Sequence, residues 1–138
     1  MDDQRARDLV AGAPVARLAT VNPGGGVDVV PITFALDGDH LVTAVDQKPK
    51  TTTDLRRLRN VREHPEVTVL VDHYDEDWDR LWWVRLRGRA RVVADGPDRD
   101  QAADLLRDRY DQYRDRPPQG AAIWVEITSW TGWEPHSG

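Results

Sequence analysis

The feature that most constrains the fold is a strict alternation between Leu81 and Val93, where arginines occupy every second position from Arg85 to Arg91. Side chains of a β-strand point to opposite faces with a period of two, so this segment predicts a long strand. One face would enter the core and carry Trp82, Val84, Leu86, Gly88, Ala90 and Val92. The other face, with Arg85, Arg87, Arg89 and Arg91, would either pair with acidic side chains on adjacent strands or form a wall that faces an anion.

Length and composition set the class of protein. A chain of 138 residues fits one domain, 1–138, and its unfavourable surface-to-volume ratio favours a homodimer. The net charge of −5 is atypical of a general nucleic-acid binder. No cysteine is present, so disulfides, thiolate metal sites and thiol nucleophiles are excluded. Without a signal-like start or an apolar run of about 20 residues, the chain is expected to be cytoplasmic, with no membrane contact.

The remaining elements predict a mainly β (α+β) fold. Three strands, Val15–Val21, Val27–Leu36 and His40–Val45, would follow one another as an antiparallel meander, because turn residues such as Asp37 and Gly38 separate them. About six antiparallel strands and two main outer helices, with no βαβ alternation, indicate a barrel with helices packed outside. The further predicted elements are the helices Arg5–Val10, Thr52–His64 and Asp98–Tyr113 and the strands Val67–Val71 and Ala121–Thr131.

Lysines and threonines cluster from Lys48 to Asp54, just before the predicted helix that begins at Thr52. Unpaired backbone N–H groups and the positive end of the helix dipole favour an anion at such a position, and Lys48, Lys50 and Thr51 would add donors. Threonines at a helix start are equally typical of an ordinary N-cap. The segment is therefore either a phosphate site or a capped loop.

Side-chain chemistry for catalysis is weak. The four histidines have no spacing typical of a metal site, the acidic loop Asp72–Asp79 lacks the pattern of an EF-hand, and no serine has a nucleophile-elbow context. No metal is expected, and any chemistry would be carried by a cofactor. Six tryptophans are too many for the interior of one small barrel, so some are expected at a dimer interface or against a flat ligand.

Several segments, taken in order, resemble the pyridoxamine 5'-phosphate oxidase-like split β-barrel superfamily, and within it the actinobacterial coenzyme F420-dependent oxidoreductases. The resemblance covers nearly the whole chain. It rests on the segments Ala16–Val21, Val29–Phe34, Asp46–Thr51, Leu55–Val61, Val71–Trp78 and Ser129–Trp133.

The resemblance implies a split β-barrel of the FMN-binding type that forms a homodimer with two cofactor sites between the subunits. The ring of a flavin or deazaflavin would lie along the second strand, on Val30, Pro31, Ile32 and Thr33. The phosphate contacts would fall on Lys48, Lys50 and Thr51. In many relatives the phosphate lysine lies closer to the end of the helix than Lys50 does here, so Arg57 is a rival ligand.

The function that this resemblance implies is an F420-dependent oxidoreductase, which passes a hydride from reduced deazaflavin to a small organic acceptor. Trp82 or Trp83 would wall the acceptor pocket. Two alternatives remain open: an FMN-dependent oxidoreductase on the same fold, and a non-catalytic protein that binds a cofactor or haem.

Overall fold

A seven-stranded antiparallel sheet organises residues 1–45 and 52–135, the part of the chain that the computed structural model describes. The order across the sheet is β2-β1-β5-β6-β7-β4-β3. The antiparallel α+β prediction is confirmed, with one strand more than expected. The strands are β1 Ala16–Val21, β2 Val27–Ile32, β3 Ala35–Asp37, β4 His40–Ala44, β5 Glu66–His73, β6 Trp82–Val93 and β7 Ala122–Trp133; the helices are α1 Asp3–Gly12, α2 Thr52–Glu63, α3 Pro97–Arg109 and α4 Gln112–Asp115.

Strand β6 forms the centre of the sheet and has the predicted two faces. Val84, Leu86, Gly88 and Ala90 are buried, and the alternate positions Arg87, Arg89 and Arg91 are exposed. The strand pairs with β5 on one side and β7 on the other, with a register shift between Arg87 and Gly88. The alternation in the sequence therefore correctly predicted a strand with one face in the core.

Two of the arginines on β6 make ion pairs with acidic neighbours. Arg89 Nη1 lies 2.8 Å from Glu66 Oε1 on β5, and Arg91 Nη2 lies 2.9 Å from Asp98 Oδ2 at the start of α3. Both pairs are exposed, so each contributes little to stability. For these two positions the structure supports pairing within the fold over a wall that faces an anion.

The predicted strand Val27–Leu36 is wrong as a single element. It is two strands, β2 and β3, which lie at opposite edges of the sheet, so the predicted meander does not form. Between them, side chains replace the ladder hydrogen bonds: Phe34 N donates to Tyr110 Oη at 3.1 Å, and Thr43 Oγ1 donates to the Thr33 carbonyl oxygen at 2.7 Å. These bonds satisfy the backbone where the chain leaves one edge for the other.

The predicted helix Asp98–Tyr113 is also divided, into α3 and the short α4. Tyr110 lies between the two helices in an extended conformation, with φ −123° and ψ 122°. Its hydroxyl donates to the Pro14 carbonyl oxygen at 2.9 Å and accepts from Phe34 N. A contact with residues distant in sequence thus ends a helix that local periodicity would extend.

The main core lies between the sheet and helices α1 and α2. Ala6 and Val10 of α1 and Leu58 and Val61 of α2 are buried there against β1, β5 and β6. A second cluster packs α3 and α4 against β4 and β7 around Leu106. Among the described residues, no helix has the length and apolar character needed to cross a membrane. The burial of Leu58 and Val61 in the main core holds helix α2 beside β1 and β2.

Candidate functional site

A cleft of about 270 Å³ lies at the end of β2, where that strand faces the end of β4 and helix α2. We call it the first cleft. Five of its eight lining residues are apolar, two are threonines and one is an arginine. The lining residues are Val15, Pro31, Ile32, Thr33, Thr43, Ala44, Val45 and Arg57.

A second cleft, of about 260 Å³, follows the earlier part of β2. Three of its lining residues are charged, against one in the first cleft; the lining residues are Thr20, Val27, Asp28, Val29, Val30, Arg56 and Arg57. Arg57 belongs to both clefts. Strand β2 is therefore bordered along its whole length by two clefts that share one cation.

Strand β2 offers backbone groups as well as side chains. It is the last strand of the described sheet and pairs with β1 alone. Asn22 N donates to the Gly26 carbonyl at 2.9 Å, and because antiparallel pairing alternates, the backbones of Val27, Val29 and Pro31 point away from β1. Pro31 has no N–H, which an edge position tolerates. The N–H of Val29 and the carbonyls of Val29 and Pro31 are thus directed toward a neighbour outside the sheet.

The threonines of the first cleft are held rigidly. Thr33 Oγ1 lies 2.7 Å from Tyr113 Oη, and Thr43, only 1 % exposed, donates its hydroxyl to the Thr33 carbonyl oxygen. The end of β2 is therefore tied to β4 and α4 before any ligand arrives, which is the preorganisation that a binding site needs.

A chain of polar side chains joins β2 to helix α2 at the second cleft. Asn60 is fully buried and donates from Nδ2 to Asp28 Oδ2 at 2.9 Å and to Thr20 Oγ1 at 3.1 Å. Asn22 Nδ2 donates to Asp28 Oδ1 at 3.2 Å. The pKa of Asp28 lies below its ordinary value, first because of the Asn60 hydrogen bond and then because of Asn22, with Arg56 and Arg59 adding charge.

The structure brings together five of the eight predicted cofactor residues. Val30 lines the second cleft, Arg57 lines both, and the other three line the first: Pro31, Ile32 and Thr33. The predicted phosphate residues Lys48, Lys50 and Thr51 lie outside the described residues. Sequence reasoning missed Asp28, Asn60 and Arg56. The available signal was a carboxylate at Asp28 inside an otherwise apolar strand.

Trp82 and Trp83, predicted to wall an acceptor pocket, line neither cleft of this chain. Trp82 stacks on His73 with ring centroids 6.3 Å apart, and Trp83 lies under the Arg85 guanidinium at 5.7 Å. Strand β6 is three strands from β2, or about 14 Å at the usual spacing. Within the described ranges, no three His, Asp or Glu side chains are grouped so as to hold a metal ion.

Comparison with known proteins identifies the family. The family model for pyridoxamine 5'-phosphate oxidase matches residues 2–134. The chain belongs to this family. The family predicted from the sequence is therefore confirmed, and with it the split-barrel fold. No curated protein sequence matches the chain.

Three solved structures are similar to this chain in fold. The conserved hypothetical protein Rv2991 of Mycobacterium tuberculosis is 19 % identical with a TM-score of 0.79, covering 100 % of this chain and 91 % of its own. An F420 reductase is 28 % identical with a TM-score of 0.67, covering 91 % and 94 %. A haem-binding protein of Mycobacterium smegmatis is 19 % identical with a TM-score of 0.74, covering 96 % and 54 %. One split barrel thus serves proteins with different ligands.

Proposed function

We propose that this protein is an F420-dependent oxidoreductase that transfers a hydride from reduced deazaflavin to a small organic acceptor. The observation that carries the proposal is the pair of clefts along the edge strand β2, which share Arg57. A ring with a phosphate-bearing chain needs a flat apolar surface, polar groups at the ring edge and a cation nearby. Strand β2 and helix α2 supply all three.

The first cleft fits the ring. Pro31, Ile32 and Val45 provide apolar contact, and the outward backbone groups of Val29 and Pro31 can bond the polar edge of a heterocycle. When bound, such a cofactor supplies the hydride chemistry. The chain itself holds and orients the ring.

Arg57 fits the anionic part of the cofactor. A guanidinium offers a planar fork of donors that suits phosphate better than a single ammonium does. We propose Arg57 as a phosphate ligand, together with Lys48, Lys50 and Thr51 from the segment before α2. The F420 reductase among the similar structures supports deazaflavin as the cofactor.

We further propose that the protein acts as a homodimer. Val27 and Val29 on β2 are 62 % and 58 % exposed, and Leu70 on β5 is 37 % exposed on the same side of the sheet. A second copy would cover this apolar surface beside the two clefts. Trp82 and Trp83 are too far from β2 within one copy, so they would wall an acceptor pocket only from the partner copy.

Binding and turnover together test the proposal. Purified protein is titrated with F420, FMN and haemin, and oxidation of reduced F420 is followed by absorbance with a quinone as acceptor. We expect F420 to bind more tightly than FMN, with an advantage that shrinks between about 0.05 and 0.5 M salt. Tighter binding of FMN would favour an FMN-dependent enzyme. Tight haemin binding without turnover would favour a haem-binding protein, although no histidine of the described part lines either cleft.

A variant pair tests the phosphate assignment. Arg57→Ala should weaken F420 and FMN binding by roughly tenfold to a hundredfold, the usual scale for a charged hydrogen-bond partner. Arg62→Ala is the matched control, because Arg62 is exposed on the same helix and lines neither cleft. Equal affinities in Arg57→Ala and in the unchanged protein would remove Arg57 from the site.

A further inference from the structure

The second cleft contains a carboxylate where a purely anion-binding cleft would have none. Asp28 lies on β2 between Val27 and Val29, opposite Arg56 and Arg57 of helix α2. An acidic side chain beside a phosphate would repel it. The position therefore calls for an explanation other than phosphate binding.

Two amides hold the Asp28 carboxylate in place. Asn22 Nδ2 donates to one oxygen at 3.2 Å and Asn60 Nδ2 to the other at 2.9 Å. Asn60 is 0 % exposed, and its second N–H is directed to Thr20 Oγ1 at 3.1 Å, so the amide has a defined orientation. The carboxylate is only half-buried and lines the cleft. The site is thus built before a ligand binds.

The carboxylate retains capacity to accept further hydrogen bonds. An ionised carboxylate has about four acceptor positions, and the two amides occupy two of them. Asp28 is ionised at neutral pH, because even the ordinary pKa of an aspartate lies well below 7 and the pKa of Asp28 is lower still. An ionised acceptor beside two cations suits a neutral, hydroxyl-rich chain that ends in an anion. Hydroxyl groups can donate to Asp28, while the anion meets Arg56 or Arg57.

We infer that Asp28 binds the polyol chain of the cofactor, accepting hydrogen bonds from its hydroxyl groups in the second cleft. This inference rests on the proposed function, which places the ring in the first cleft. Pro31 follows Asp28 by three positions, or about 10 Å along a strand, and a ring edge with a polyol of four or five carbons spans that distance. Asn22 and Asn60 are positioning residues, which act through Asp28.

Paired ligands that differ only in the chain test the inference. Lumiflavin carries a methyl group where riboflavin carries the ribityl polyol, and the N10-methyl and N10-ribityl forms of the 5-deazaflavin ring make the same pair. In the unchanged protein the ribityl form should bind roughly tenfold more tightly than the methyl form. Asp28→Asn should remove most of this advantage and leave the affinity for the methyl form unchanged.

The control variant is Asp39→Asn, which removes the same charge at the exposed turn between β3 and β4, where Asp39 pairs with Arg7. It should keep the ribityl advantage in full. A loss in Asp28→Asn that is equal for methyl and ribityl forms would show that Asp28 only braces α2, and would overturn the inference.

The ligand comparison does not depend on the variant folding. If the unchanged protein binds the ribityl form no more tightly than the methyl form, Asp28 is not a polyol ligand, although the proposed function stands. If neither form of either ring binds, the proposed function itself fails and the inference falls with it.

Discussion

Replacing Gly88 with alanine should destabilise the protein measurably. A Cβ built at Gly88 would lie 2.3 Å from the Glu126 carbonyl oxygen and 2.7 Å from Val125 Cγ1. The closest contact is backbone, about 1 Å short of ordinary van der Waals distance, so β7 would have to move. The position lies at the register shift between β6 and β7, in the centre of the sheet.

Overpacking of this kind costs about 1–3 kcal/mol of unfolding free energy. Lower backbone entropy of the unfolded alanine chain would return about 0.5–1 kcal/mol. Because the clash is with backbone, the upper part of the overpacking range applies, and the net loss of about 1–2.5 kcal/mol corresponds to a decrease in Tm of roughly 3–12 °C for a chain of this size.

The assay is thermal unfolding by circular dichroism, with urea unfolding to give the free energy. Gly12→Ala is the matched control, because a Cβ at Gly12 meets nothing within 4 Å and the residue ends α1. That variant should have an unchanged or slightly higher Tm. A Gly88→Ala protein as stable as the unchanged one would refute the reasoning and show that β7 moves at no cost.

Three further outcomes are expected. Because the pKa of Asp28 is lowered from 3.8, the ionised carboxylate stabilises the fold above about pH 4, and this stabilisation is lost as pH falls through the lowered pKa. The Tm of Asp28→Asn should therefore fall less steeply on acidification than the Tm of the unchanged protein. Equal slopes of Tm against pH in the two proteins would contradict this. Light scattering at micromolar concentration should give a mass of twice 15.7 kDa. Val29→Lys places a charge on the exposed apolar surface and should shift the mass toward 15.7 kDa. If the unchanged protein is a monomer that binds cofactor, the dimer is excluded. Trp83→Leu should lower turnover with the acceptor without changing cofactor affinity, and Trp78→Ala, on a side chain that is 70 % exposed, is its control; identical turnover in all three proteins would remove Trp83 from the pocket.

The sequence alone determined the elements whose signals are local. The alternation from Leu81 to Val93 specifies β6 and its buried face, since a period of two has no other regular structure. The apolar spacing of Leu55, Leu58 and Val61, followed by Pro65, specified helix α2 to within one residue of its end. The order of weak motifs along the chain was enough for the family, because each motif restricts the position of the next.

Only the tertiary structure decided which distant segments meet. The division of Val27–Leu36 into β2 and β3 depends on hydrogen bonds from Tyr110 and Thr43. Likewise, the cleft beside β2 depends on α2 packing so that Arg57 faces Pro31 and Asn60 meets Asp28. No spacing in the sequence encodes these contacts, because they join residues separated by 10 to 76 positions. Burial of α2, and of α3 with α4, against the sheet sets them, and burial is a property of the whole fold.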